Sequence, residues 1–189
     1  MATSATRQGN AALVERIYTA PSAGDLRNII TGYSVGKIIV HPAFEHKLLQ
    51  DSKGAYEEYA KSIASLFQDK KDGKNTLVIY ESKEDIGHVK EFFAKYGANF
   101  EPEHWLIHPE GVLKAGKGSD APLEIVRALA TNSAAIVFGG LTLDVCIRNA
   151  MAGTFQLLRE IGIPDFPVTI NRLIAKTNEQ LGLTFWKGI

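Results

Sequence analysis

Residues 134–147 read AAIVFGGLTLDVCI, a strand-like run that leads through two glycines into an amphipathic segment. The apolar run at 134–138 is the best strand candidate in the chain, because such runs are typical of strands buried on both faces. Gly139 and Gly140 follow it and allow a sharp turn. Residues 145–161 then place apolar side chains at helical spacing and end at Gly162, which predicts the longest helix.

The same alternation of strands and helices continues along the chain. Further buried strands are predicted at 37–40, 76–80 and 167–170, with short extended candidates at 105–107 and 111–114. Helices are predicted at 10–18, 54–67, 83–96 and after a cap at Asp120, and 19–35 reads as a loop with one helical turn near 26–30. This order predicts one α/β domain over residues 1–189, a three-layer α/β/α fold whose mainly parallel, doubly wound sheet has 134–138 at its centre.

Composition narrows the class of function. The 189 residues are 45% hydrophobic and 22% charged, and 21 basic side chains balance 21 acidic ones. A zero net charge without a basic stripe argues against a nucleic-acid partner, and no apolar run is long enough for a membrane span. The N-terminal ten residues lack the apolar core of a signal peptide, and one cysteine cannot form an internal disulfide. We therefore expect a cytoplasmic protein that handles a small molecule or another protein.

Cys146, the single cysteine, falls where the strand at 134–138 passes into the longest helix. Ligands of parallel α/β folds bind at the carboxyl ends of the strands, in the loops that lead to helices. The backbone N–H groups and the dipole at a helix N-terminus favour a thiolate, and they can also hold an oxyanion. A buried cysteine that only fills core space is the alternative.

The segment Gly140-Leu141-x-x-Asp144-x-Cys146-Ile147 resembles the nucleophile loop of the isochorismatase-like cysteine hydrolases. The resemblance implies that Cys146 is the nucleophile. It also implies a non-proline cis peptide between Leu141 and Thr142, with the N–H groups of Thr142 and Cys146 as the oxyanion hole. This chain departs from the family pattern at Leu143, where the family usually has threonine.

A second element of the resemblance is a lysine at a strand end. The segment 111–114 ends in Lys114 and is followed by Ser119-Asp120-Ala121, which is similar to the family's Lys…Ser-Ala-Phe pattern with shorter spacing. Lys114 fits best as the ammonium beside the thiolate, because it ends the extended segment, and Lys117 is its rival. A solvated surface lysine is the alternative interpretation.

The third element departs from the family. Isochorismatase-like hydrolases end their first strand in a catalytic Asp, whereas this chain reads Val40-His41-Pro42. An imidazole is a competent base near neutral pH, so His41 is the candidate base. Glu45 and Asp51, just downstream, are carboxylate alternatives. His41 could also simply end the strand.

The resemblance implies a cysteine-dependent hydrolase of an amide, imide or vinyl-ether bond in a small-molecule substrate, with no cofactor. The chain lacks the Asp-x-His pair of the metal-binding nicotinamidases, and His104 and His108 do not fit one helical face, so no metal is predicted. Family members are commonly dimers or larger, which implies a homo-oligomer. The alternative function is a catalytically inactive binding or scaffolding protein of the same fold.

Overall fold

A five-stranded parallel sheet forms the middle layer of the molecule. The computed structural model describes residues 4–43, 53–113, 121–177 and 179–181. Their strands are β1 (Val35–Val40), β2 (Thr76–Tyr80), β3 (His104–Ile107), β4 (Ala135–Leu141) and β5 (Val168–Lys176). The strand order is β3-β2-β1-β4-β5, and every neighbouring pair is parallel.

Helices cover both faces of this sheet. They are α1 (Ser4–Thr19), α2 (Ala23–Gly32), α3 (Lys53–Ala64), α4 (Asp85–Lys95), α5 (Ala121–Thr131) and α6 (Arg148–Glu160). Buried side chains of α1 to α4 form one hydrophobic core with the sheet, and those of α5 and α6 form a second core on the opposite face. The predicted three-layer α/β/α fold class is confirmed.

The position of each strand explains its sequence. Every residue of β1, β2 and β4 is buried, as expected for strands covered by helices on both faces. The edge strand β3 instead alternates, and its Trp105 is 55% exposed. The prediction that 134–138 lies at the centre is wrong, because β1 takes the middle position and β4 lies beside it. Centrality depends on long-range pairing, which local hydrophobicity does not encode.

The segment between α1 and β1 is a helix rather than the predicted loop. Ser22 caps α2, and its hydroxyl accepts a hydrogen bond from the Asp25 N–H at 3.1 Å. Leu26, Ile29 and Ile30 are buried on one face of this helix. The Gly- and Ser-rich composition favoured a loop in the prediction, although the segment has an amphipathic pattern over about three helical turns.

Several predicted boundaries also change. Residues 111–113 lie outside any strand, so the extended candidate at 111–114 is wrong for its described part. A π-helical turn at Leu143–Ile147 separates β4 from α6, so Cys146 lies in that turn rather than in the long helix. The predicted cap Asp120 falls outside the described residues.

Within the described ranges, no helix has the length and apolar character needed to cross a membrane.

Candidate active site

The carboxyl ends of β1 and β4 adjoin each other at one edge of the sheet. Val40, the last residue of β1, is in register with Gly140 of β4. Gly140 has a φ of 110°, and a Cβ atom there would overlap the carbonyl group of Val40. Only glycine meets both requirements without strain. This close approach brings the carboxyl ends of the two strands together.

The last residue of β4 and the first residue after it are the predicted oxyanion-binding residues, Leu141 and Thr142. The Leu141–Thr142 peptide is cis, as the resemblance implied. Both residues are buried, and the Thr142 carbonyl accepts hydrogen bonds from the N–H groups of Val145 at 3.3 Å and Ile147 at 3.0 Å. These bonds close the π-helical turn. Cys146 lies within that turn and is partly exposed.

The segment after β3 packs against this turn. A Cβ atom on Gly111, whose φ is 68°, would lie 3.1 Å from Cys146 Cβ and 3.1 Å from Val40 Cγ1. Leu113 is held in turn by α6, since a Cβ on Gly153 would overlap the Leu113 carbonyl oxygen. The backbone after β3 therefore lies beside Cys146 as it approaches Lys114. Lys114 and its rival Lys117 lie outside the described residues.

His41 lies at the end of β1 in a left-handed conformation, with a φ of 44° and 3% exposure. Its Nε2 lies 2.9 Å from the carbonyl oxygen of His108. Because a carbonyl oxygen only accepts, Nε2 carries the proton and Nδ1 carries a lone pair. That Nδ1 is buried and has no hydrogen-bond partner in the described part of the chain. Burial lowers the pKa of His41 below 6.5, which favours the neutral imidazole at neutral pH.

His108 connects the carboxyl ends of three strands through hydrogen bonds. Its N–H donates to the Tyr80 carbonyl at the end of β2, and its own carbonyl accepts from His41. Its Nδ1 lies 3.2 Å and 3.3 Å from the N–H groups of Glu110 and Val112, so this nitrogen is an acceptor. From the sequence, His108 was a candidate only as a metal ligand, and this structural role was not predicted. Its position directly after a strand was the available signal.

Asp85, at the start of α4, is an acidic group near His41 that the sequence analysis also missed. Its negative charge acts on His41 in the direction that raises the pKa of the imidazole, against the larger effect of burial. Its carboxylate accepts a hydrogen bond from the Ser82 N–H at 2.9 Å and is 19% exposed. An acid five residues beyond β2 was a visible signal, because the loop after β2 also leads from a strand to a helix. Glu45 and Asp51, the predicted carboxylate alternatives, lie outside the described residues.

The arrangement offers groups for thiol chemistry. Across the described ranges, no group of three or more His, Cys, Asp or Glu side chains is placed to hold a metal ion. Cys146 and His41 come to the same edge of the sheet, at the exits of adjacent strands. Comparison with protein-family models, curated proteins and solved structures gave no significant match.

Proposed function

We propose that this α/β protein is a cysteine-dependent hydrolase similar to the isochorismatase-like enzymes. Its substrate is a small metabolite with an amide, imide or vinyl-ether bond, and Cys146 is the nucleophile. One observation carries the proposal. Cys146 is partly exposed and follows β4, the strand that pairs with β1, and His41 at the end of β1 has a buried Nδ1 lone pair. A nucleophile and a neutral base on adjacent strand exits suit covalent catalysis.

For an amide substrate, the proposed reaction passes through a thioester on Cys146. His41 Nδ1 accepts the proton of the Cys146 thiol, and the sulfur attacks the carbonyl carbon to form a tetrahedral oxyanion. The N–H groups of Thr142 and Cys146 are the proposed donors to that oxyanion, with Leu141 fixing the turn. The C–N bond then breaks, and the amine leaves with the proton from His41. Water hydrolyses the thioester and restores the thiol. Lys114 is the proposed cation beside the sulfur.

Thiol labelling tests this function directly, because Cys146 is the single cysteine. We expect iodoacetamide to alkylate the native protein at pH 7 at least as fast as the protein unfolded in urea. A substrate panel of small amides, cyclic imides and vinyl ethers should show turnover that Cys146→Ser abolishes while the circular dichroism spectrum is unchanged. A cysteine that is alkylated only after unfolding would contradict the proposal.

A binding or scaffolding protein of the same fold is the second candidate function. The observation that favours it is the sequence Val40-His41-Pro42, which has no carboxylate where the isochorismatase-like family places its catalytic Asp. In that case Cys146→Ser would leave ligand binding unchanged, and no member of the substrate panel would be turned over. A reactive thiol without turnover would indicate a retained nucleophile loop in a diverged site.

The proposal includes a homo-oligomer that acts in the cytoplasm. The resemblance supports assembly, because isochorismatase-like proteins are commonly dimers or larger, and a chain with one cysteine suits a reducing compartment. Sedimentation equilibrium measures the assembly state, and a mass equal to one 20.7 kDa chain at micromolar concentration would contradict it.

A further inference from the structure

A cavity of about 530 Å³ opens at the amino ends of β1 and β2, beside α2. Its volume falls in the range of pockets that take small molecules. Lys37 of β1 lines it, four residues before His41, which is about 13 Å along a strand. The cavity is thus separate from the candidate active site at the other end of the sheet.

Lys37 is an unusual residue for a middle strand. It is 5% exposed, and its Nζ lies 5.7 Å from the centroid of the Phe67 ring. Within the described ranges, Lys37 forms no ion pair with a carboxylate. Burial lowers the pKa of Lys37 from 10.5 to about 8, with the Asp72 charge acting in the opposite direction. A buried ammonium without a directly paired carboxylate is costly, and an anion in the cavity would relieve that cost.

The carboxylate in the wall, Asp72, is already engaged. It accepts hydrogen bonds from Arg27 Nη1 at 2.8 Å and from the Asp69 N–H at 2.9 Å. The other charged groups of the wall are the exposed side chains of Lys71 and Lys74. Four cationic side chains therefore line the cavity with one carboxylate. Asp69, outside the lining, pairs with Arg27 at 3.6 Å and with Lys71 at 3.7 Å, so the two carboxylates offset only part of the positive charge. This surplus of positive charge belongs to a chain whose net charge is zero.

We propose that this cavity is a second ligand site, which binds a small phosphate- or carboxylate-bearing molecule with its anionic group against Lys37. The ammonium of Lys37 donates to the anion inside the cavity, and Lys71 and Lys74 attract the anion at the rim. Charge-assisted hydrogen bonds of this kind are strong in a partly desolvated pocket. The site does not depend on the proposed hydrolase activity.

Titration calorimetry with inorganic phosphate and with malonate tests the site in a buffer that contains neither anion. We expect saturable binding of at least one of them at pH 7, with one site per chain. Lys37→Met should weaken that binding about tenfold or more. The matched control Lys90→Met removes an exposed lysine of α4 outside the cavity and should leave the affinity unchanged. Binding of only one anion would identify the preferred group.

Two results would overturn the site: neither anion binds saturably, or Lys37→Met binds as tightly as the unmodified chain. A second measurement needs no variant and decides the question if Lys37→Met does not fold. The native protein is acetylated with acetic anhydride at pH 8, and the extent of modification is measured by peptide mass spectrometry. Phosphate or malonate should slow acetylation of Lys37 and not of Lys90. Equal modification of Lys37 with and without both anions would also overturn the proposal.

Discussion

The chemistry of His41 depends on its surroundings in the fold. The hydrogen bond from its Nε2 to the His108 carbonyl selects one neutral tautomer, and burial lowers the pKa of the imidazole. The folded protein therefore resists protonating this group, whereas the unfolded chain accepts the proton near pH 6.5. Stability from neutral His41 is present above that pH and is lost as the pH falls below it.

His41→Asn should reduce the loss of folding stability that occurs as the pH falls from 7 to 5. Asparagine tolerates the positive φ at this position and does not titrate. Urea unfolding at pH 7 and pH 5 measures the free energy of unfolding of both proteins. We expect the unmodified chain to lose more stability between these pH values than His41→Asn does. A His41→Asn profile as steep as that of the unmodified chain would contradict the assignment.

Gly140 supports the active-site turn through its lack of a side chain. A Cβ atom would overlap the Val40 carbonyl, and the φ of 110° is unfavourable for any other residue. Gly140→Ala should lower the free energy of unfolding by about 3 kcal/mol. The matched control is Gly87→Ala in α4, where nothing lies within 4 Å of the added atom. It should stabilise the protein by up to about 1 kcal/mol. Similar effects at both positions in chemical denaturation would contradict this account.

At the scale of elements, β1 combines full burial with a charged residue. Since folding lowers the pKa of Lys37, the native state favours the neutral amine, and burial of the ammonium costs stability at lower pH. The shift from 10.5 to about 8 corresponds to about 3 kcal/mol at pH 7. This cost disappears as the pH rises from about 8 to 10.5, because the unfolded chain then also loses its proton.

Lys37→Met should therefore stabilise the unliganded protein at pH 7 by up to about 3 kcal/mol. Guanidinium unfolding at pH 7 and pH 10 measures this difference. We expect the gain to shrink at pH 10, where Lys37 of the unmodified chain is already largely neutral. Lys90→Met should show neither effect. Destabilisation by Lys37→Met at pH 7 would mean that interactions of the ammonium outweigh its desolvation.

The helix α2 shows why composition misleads at the scale of elements. Ser22, Gly24 and Gly32 flank or interrupt this segment and favour a loop when read locally. Leu26, Ile29 and Ile30 nevertheless form a buried face, and their packing outweighs weak helix propensity. Tertiary contacts therefore determine that this segment is helical.

At the scale of the whole molecule, the strand order predicts which amides exchange most slowly. β1 has a parallel partner on each side and helices over both faces, whereas β3 is an edge strand with Trp105 exposed. Native-state hydrogen exchange should find Ile38 and Ile39 of β1, together with β4, among the slowest amides. Faster exchange throughout β1 than in β3 would contradict the strand order.

Local sequence patterns were enough to predict the α/β class and the strands around 37–40, 76–80 and 134–138, but not the π-helical turn that carries Cys146. Those features follow from short-range physics, because apolar runs, glycine conformations and helical periodicity act over a few residues. Long-range packing alone makes β1 the middle strand and brings Asp85 and His108 near His41. It alone also buried Lys37 in a cationic cavity. These features depend on strand pairing across the chain and on desolvation by distant segments, which no local pattern records.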